Sequence, residues 1–182
     1  MKNAVILHGT DGSPNGNWFL WLKKELQNKG YKVWLPQLPD CDYPNVDKYN
    51  TFLLSGWGYN EKTVLIGHSS GAVEILSLLQ NLPDNIVIDK AILVAGFIND
   101  LGWKELKGMF IHKFVWKLIK TRAKHFIFIH SDDDPYVALN HGKILYEKLG
   151  GKLIIKEGQK HFSIDTAGQK YKKFPLLLKL ID

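Results

Sequence analysis

Short apolar runs recur along the chain and alternate with stretches that have helical spacing. The runs are rich in β-branched residues and stay apolar throughout, which is typical of strands buried on both faces of a parallel sheet. Six runs are predicted to be strands: Ala4–Leu7, Val33–Leu35, Val64–Ile66, Ala91–Ala95, Phe126–Ile129 and Leu153–Ile155.

Between these runs, apolar residues repeat at i, i+3, i+4 and i+7, as in an amphipathic helix. The repeat predicts helices over Trp18–Asn28, Ala72–Leu79, Val137–Leu149 and Tyr171–Ile181, with Pro175 expected to break the last. Strands that alternate with helices indicate an α/β fold, here a six-stranded parallel sheet with helices on both faces. In such a sheet, functional residues gather at the carboxyl ends of the strands.

Length and composition fit a single domain over residues 1–182, since 45% of the residues are hydrophobic and 23% are charged. No apolar run approaches the ~18 residues of a membrane span, so no membrane insertion is expected. The first residues contain too few apolar positions for a secretory signal, and we expect a cytoplasmic protein. The single cysteine, Cys41, excludes an internal disulfide and a cysteine-built zinc site. No spacing suggests another metal or an organic cofactor, and none is expected.

The net charge of +6 is concentrated in residues 102–124, which contain seven basic residues and only one acidic residue, Glu105. Such a stripe can attract nucleic acid or anionic surfaces, but it is more often a solvated helix face, and we expect no nucleic-acid partner. Residues 98–122 lie between the fourth and fifth strands and predict a short lid. We expect Trp103, Phe110 and Trp116 to face a pocket partly, with the lysines in water.

The strongest chemical signal follows the third strand, where Gly67-His68-Ser69-Ser70-Gly71 has the pattern G-x-S-x-G. A strand enters the pattern and a helix leaves it, as a nucleophile elbow requires. A serine nucleophile needs a histidine base and an acid that orients the base. His161, in the loop after the last strand, is the candidate base. For the acid we favour Asp134, with Asp133 as the alternative; either can instead cap the next helix.

Backbone N–H groups must stabilise the oxyanion that forms on the substrate. Ser70 follows the nucleophile and Thr10 follows the first strand, so these two are the candidate donors. Four neighbours are candidate substrate-binding residues: Gly9, His68, Trp18 and Tyr136.

With these residues, the chain resembles the small α/β-hydrolases of the retinoblastoma-binding serine hydrolase family almost from end to end. The resemblance rests on the Gly67–Ala72 elbow, the helix from Trp18, Leu38–Asp40, Asp133–Pro135 and His161-Phe162. It implies a reduced hydrolase sheet and the triad Ser69, Asp134 and His161. The L-x-C-x-E motif of the member that names the family is absent here, so a retinoblastoma-type partner is not implied.

Together these signals predict a serine hydrolase that cleaves small carboxylic esters or amides through an acyl-enzyme. A lid of about 25 residues favours a shallow, open cleft and short acyl groups. The alternative is a protein-interaction module that kept the hydrolase fold with little activity, since a fold alone does not establish function.

Overall fold

The computed structural model describes residues 1–181 and contains one sheet of six parallel strands. The strands are β1 (Asn3–Leu7), β2 (Lys32–Trp34), β3 (Thr63–His68), β4 (Ile88–Val94), β5 (Ala123–Ser131) and β6 (Lys152–Lys156). Their order in the sheet is β2-β1-β3-β4-β5-β6, and every neighbouring pair is parallel. The predicted α/β architecture is confirmed.

Within residues 1–181, seven α-helices flank the sheet: α1 (Phe19–Asn28), α2 (Val46–Gly56), α3 (Ser70–Asn81), α4 (Trp116–Thr121), α5 (Leu139–Leu149), α6 (Ile164–Ala167) and α7 (Pro175–Ile181). Alternate strand residues point to opposite faces. Val5 and Leu65 pack in the core beneath α2, α3 and α5, whereas Ile6 and Ile66 pack in the core beneath α1 and α7. The sheet is therefore covered on both sides, which explains why its strands are apolar throughout.

Several helices differ from the sequence prediction: α6 was not predicted, α3 is longer than expected, and three further differences have a clear physical basis. Helix α2 was not predicted, although Asn45 caps it by accepting from the N–H groups of Asp47 and Lys48. Helix α5 begins at Leu139 rather than Val137. Pro175 does not interrupt a helix but begins α7, because the first helical position needs no backbone N–H donor.

The segment between β4 and β5 holds a short 3₁₀ helix (Lys104–Met109) and α4. Leu106 and Met109 anchor it in the core. Not all of its basic residues are free, since the buried guanidinium of Arg122 pairs with Asp84. None of the helices formed by residues 1–181 is both long and apolar enough to cross a membrane.

Candidate active site

Ser69 occupies a strained turn between β3 and α3. Its backbone has φ 57° and ψ −124°, a conformation that residues other than glycine rarely adopt. The Ser69 N–H donates to the carbonyl of Val94 at 2.9 Å, which fixes the turn to the end of β4. This is the geometry that the G-x-S-x-G pattern predicts for an elbow.

Glycines allow this turn to pack closely against its neighbours. A Cβ on Gly9 would lie 2.9 Å from the Cβ of Ser69, inside van der Waals contact. A Cβ on Gly71 would overlap the carbonyl oxygen of His8, and one on Gly67 would overlap the carbonyl of Gly71. The loop after β1 can therefore approach Ser69 and α3 only because Gly9 and Gly71 lack side chains, while Gly67 allows β3 to lie close to the start of α3.

Thr10 and Ser70 lie next to each other, since the Thr10 hydroxyl donates to Ser70 Oγ at 2.9 Å. Within residues 1–181, no hydrogen bond uses the backbone N–H of either residue. Ser70 is also the first residue of α3, where the N–H groups of a helix lack intrahelical acceptors. Both N–H groups are thus available to a bound anion or carbonyl.

His161 and Asp134 form a buried hydrogen-bonded pair. Nδ1 of His161 lies 2.8 Å from Oδ2 of Asp134, and the Asp134 side chain is only 1% exposed. The other carboxylate oxygen accepts from the N–H groups of Tyr136 and Val137. Both carboxylate oxygens of Asp134 are therefore hydrogen-bonded. Because Nδ1 of His161 is engaged with Asp134, Nε2 is the ring nitrogen that remains available to Ser69. Ser69 Oγ itself makes no hydrogen bond with any of the described residues.

His68 and His8 hold the backbone around the site. His68 Nε2 donates to the carbonyl of His161 at 2.7 Å, and burial lowers the His68 pKa to about 3. His8 Nδ1 donates to the carbonyl of Gly9 at 2.8 Å, while its Nε2 accepts from the Leu38 N–H at 3.0 Å. Burial also lowers the His8 pKa, so both rings stay neutral near pH 7.

A cavity of about 540 Å³ opens beside Ser69, within the range of small-molecule sites. It contains Ser69, His161 and four other predicted residues: Gly9, Thr10, His68 and Tyr136. Residues that sequence analysis did not predict also line it, among them Asn17, Phe97, Leu101, Leu106, Ile164 and Thr166. Three of these six residues lie in loops, and the other three lie in the short 3₁₀ helix Lys104–Met109 and in α6. Segments this short carry no periodic signal that would identify them in advance.

The expectation that Trp18 lines this cavity is not met. The indole is fully buried, donates from Nε1 to the carbonyl of Phe162 at 3.2 Å, and packs edge-on to His68. Trp18 therefore supports the site from behind, because its ring completes the core between α1 and the sheet.

The aromatic residues of the lid segment (residues 98–122) divide between cavity and core. Trp103 is 45% exposed, lines the cavity and packs edge-on to Tyr136. Phe110 and Trp116 both pack against Phe114 instead, outside the cavity wall. In the described part of the chain, no cluster of histidine, cysteine, aspartate or glutamate side chains could hold a metal ion.

Sequence comparison identifies relatives along nearly the whole chain. Residues 4–181 match the family described as serine hydrolase. YdeN of Bacillus subtilis is 31% identical over 170 residues, which cover 90% of this chain and 87% of YdeN. The serine hydrolase RBBP9 of Rattus norvegicus is 27% identical over 164 residues, covering 87% of this chain and 86% of that protein.

Structural comparison agrees with this relationship. The crystal structure of the B. subtilis ydeN gene product superposes with a TM-score of 0.91 at 28% identity, covering 100% of this chain and 97% of the other. The esterase domain of a Rhodothermus marinus protein shares the fold, with a TM-score of 0.64 at 16% identity over 94% and 83% of the two chains. The chain belongs to the serine hydrolase family that includes RBBP9 and YdeN, and it is a hydrolase with a small α/β-hydrolase fold.

Proposed function

We propose that this hydrolase cleaves small carboxylic esters or amides, with Ser69 as nucleophile, His161 as base and Asp134 as the acid that orients it. The observation that carries the proposal is the buried His161–Asp134 hydrogen bond beside a cavity that also contains the strained Ser69. The missing Ser69–His161 hydrogen bond is compatible with this role, because catalytic hydrogen bonds often tighten only when substrate binds.

The reaction would proceed in two acyl-transfer steps. His161 Nε2 takes the Ser69 proton while Oγ attacks the substrate carbonyl carbon. The N–H groups of Thr10 and Ser70 stabilise the oxyanion. His161 then gives the proton to the departing alcohol or amine, which leaves the acyl group on Ser69. Water, deprotonated by His161, attacks this acyl-enzyme and releases the carboxylic acid and free Ser69.

Short acyl groups suit the cavity best. Phe97, Leu101 and Leu106 give it an apolar wall, but its volume of about 540 Å³ is shared between the acyl and leaving groups. Trp103, which also lines the cavity, is 45% exposed, so an alkyl chain on that side would stay in contact with water and gain little from burial. The preference rests on the cavity alone.

A chain-length series tests this proposal. We expect 4-nitrophenyl acetate and butyrate to give a higher kcat/KM than the decanoate. Ser69→Ala should abolish turnover of all three esters, whereas Ser55→Ala, which changes an exposed serine of α2, should leave it unchanged. Turnover that persists in Ser69→Ala would refute the nucleophile, and faster cleavage of the decanoate would refute the short-acyl preference.

A further inference from the structure

The loop that carries His161 is held by an uninterrupted series of side-chain contacts. Four successive backbone N–H groups in this loop, from Gly158 to His161, each donate to a side-chain oxygen. The acceptors, in order, are Asp132 Oδ1 at 2.9 Å, Ser131 Oγ at 2.9 Å, Asp133 Oδ1 at 2.8 Å and Thr166 Oγ1 at 3.2 Å. Three of these four acceptors belong to consecutive residues at the end of β5. The end of β5 therefore fixes the path of the loop after β6.

Asp133 makes the most extensive of these contacts. Its Oδ1 accepts from the Lys160 N–H and from Ser131 Oγ at 2.7 Å, and its Oδ2 pairs with Lys160 Nζ at 2.8 Å. Hydrogen bonds from Lys160 and Ser131 hold the Asp133 pKa well below its usual range, so the carboxylate is ionised at neutral pH. The ion pair between Lys160 Nζ and Asp133 is exposed to solvent, so it is expected to contribute little to the stability of the loop. The bond to the backbone N–H fixes the residue immediately before His161.

The loop backbone needs such restraint. Lys160 has φ +52° and Phe162 has φ +54°, so both neighbours of His161 are in the left-handed region without being glycine. Residues persist in this conformation when the surrounding structure over-determines it. Without the Asp133 acceptor, the Lys160 peptide is free to relax, and relaxation there rotates the backbone that carries the imidazole.

We propose that Asp133 is a positioning residue for His161, an inference that rests on the proposed role of His161 as base. Asp134 orients the imidazole through Nδ1, and Asp133 holds the peptide that precedes it. The two aspartates thus act on one histidine from two sides, at its ring and at its backbone. The two adjacent aspartates, which the sequence alone could not tell apart as the triad acid, thus have different roles.

The effect belongs in kcat rather than in KM, because Asp133 does not line the cavity. A displacement of about 1 Å at a catalytic group can cost about 100-fold in rate. We therefore expect Asp133→Ala to lower kcat for 4-nitrophenyl acetate by about 10- to 100-fold, with KM within about threefold of wild type.

Two further variants separate the contact with the Lys160 N–H from the ion pair with Lys160 Nζ. Asp133→Asn keeps an oxygen that can accept from the Lys160 N–H, and it should recover kcat to within about fivefold of wild type. Lys160→Ala removes Nζ but keeps the N–H, and it should stay near wild type. Asp42→Ala removes an exposed carboxylate elsewhere and serves as the matched control.

A proton NMR measurement adds a signal that does not depend on turnover. The Nδ1–H proton shared by His161 and Asp134 should give a downfield resonance in wild type that is lost in Asp134→Asn. In Asp133→Ala, measured well below the melting temperature of that variant, this resonance should shift or broaden. A merely structural role would lower the melting temperature but leave both kcat and this resonance unchanged, and that result would overturn the proposal. If Asp133→Ala does not fold, Asp133→Ser, whose hydroxyl is too short to reach Lys160, takes its place with the same expectations.

The same data distinguish this inference from the proposed function. If the wild type cleaves no ester and a fluorophosphonate does not label Ser69, the hydrolytic proposal fails. The resonance comparison between wild type and Asp133→Ala then still decides whether Asp133 positions His161. If the wild type is active and Asp133→Ala matches it in kcat and in the resonance, only the positioning role is refuted.

Discussion

Among single residues, Asp134 has the most direct role in the proposed mechanism, because its hydrogen bond selects the tautomer of His161. Asp134 accepts from His161 Nδ1 and from two backbone N–H groups, and a nearly isosteric amide cannot replace all of these contacts. Asp134→Asn should therefore favour the wrong imidazole tautomer and lower kcat by up to about 10⁴-fold, the loss that the same change causes in a serine protease triad. Steady-state kinetics with 4-nitrophenyl acetate measures it, with Asp42→Asn as the control. A variant with wild-type kcat would remove Asp134 from the mechanism.

At the scale of elements, the close approach between the loop after β1 and helix α3 creates the site. A Cβ on Gly71 would overlap the His8 carbonyl, and the backbone there has little room to move. Gly71→Ala should therefore lower the melting temperature and reduce kcat/KM together. Gly58→Ala is the matched control, since no atom lies within 4 Å of its Cβ position. Calorimetry and ester kinetics on both variants check this, and a Gly71→Ala protein as active and stable as the control would show that the elbow tolerates a side chain.

Some elements leave a clear local pattern in the sequence, and others do not. Apolar runs and the G-x-S-x-G turn predict the sheet and the elbow, because buried parallel strands and strained turns impose local residue patterns. Helix α2 carries Val46, Tyr49 and Leu53 on its buried face, so its signal was present but diluted by polar neighbours. Trp18 was expected in the cavity because a sequence pattern does not distinguish an aromatic residue of the core from one that lines a cavity. The contacts of Asp133 join two loops far apart in sequence, and no local pattern contains them.

At the scale of the whole molecule, buried ionisable groups make stability depend on pH in two opposite ways. Burial lowers the pKa of His68 to about 3 and of His130 to about 4, so between pH 4 and the ordinary value of 6.5 the unfolded chain binds more protons than the folded one. Stability therefore falls as pH falls through this window, on the order of 2 kcal/mol per histidine from pH 6.5 to 5. Burial raises the pKa of Glu74 well above its usual value. Glu74 therefore stabilises the folded state at low pH, and this stabilisation is lost as pH rises. On acidification it partly offsets the loss of stability that the two histidines cause.

Two variants separate these contributions. The loss of unfolding free energy between pH 7 and pH 5 should be smaller in His130→Gln than in wild type, because one depressed histidine is removed. The same loss should be larger in Glu74→Gln, because the opposing carboxyl is removed. Urea unfolding followed by tryptophan fluorescence at the two pH values measures both, and an identical loss in all three proteins would contradict the assigned protonation states.

Covalent labelling with a fluorophosphonate would show whether Ser69 is the activated nucleophile proposed above. The reagent reacts with serines activated by a base, and intact mass spectrometry counts the adducts. We predict one adduct per chain in wild type and in Ser55→Ala, and none in Ser69→Ala. A folded wild-type protein that gains no adduct, or a Ser69→Ala protein that gains one, would contradict the account.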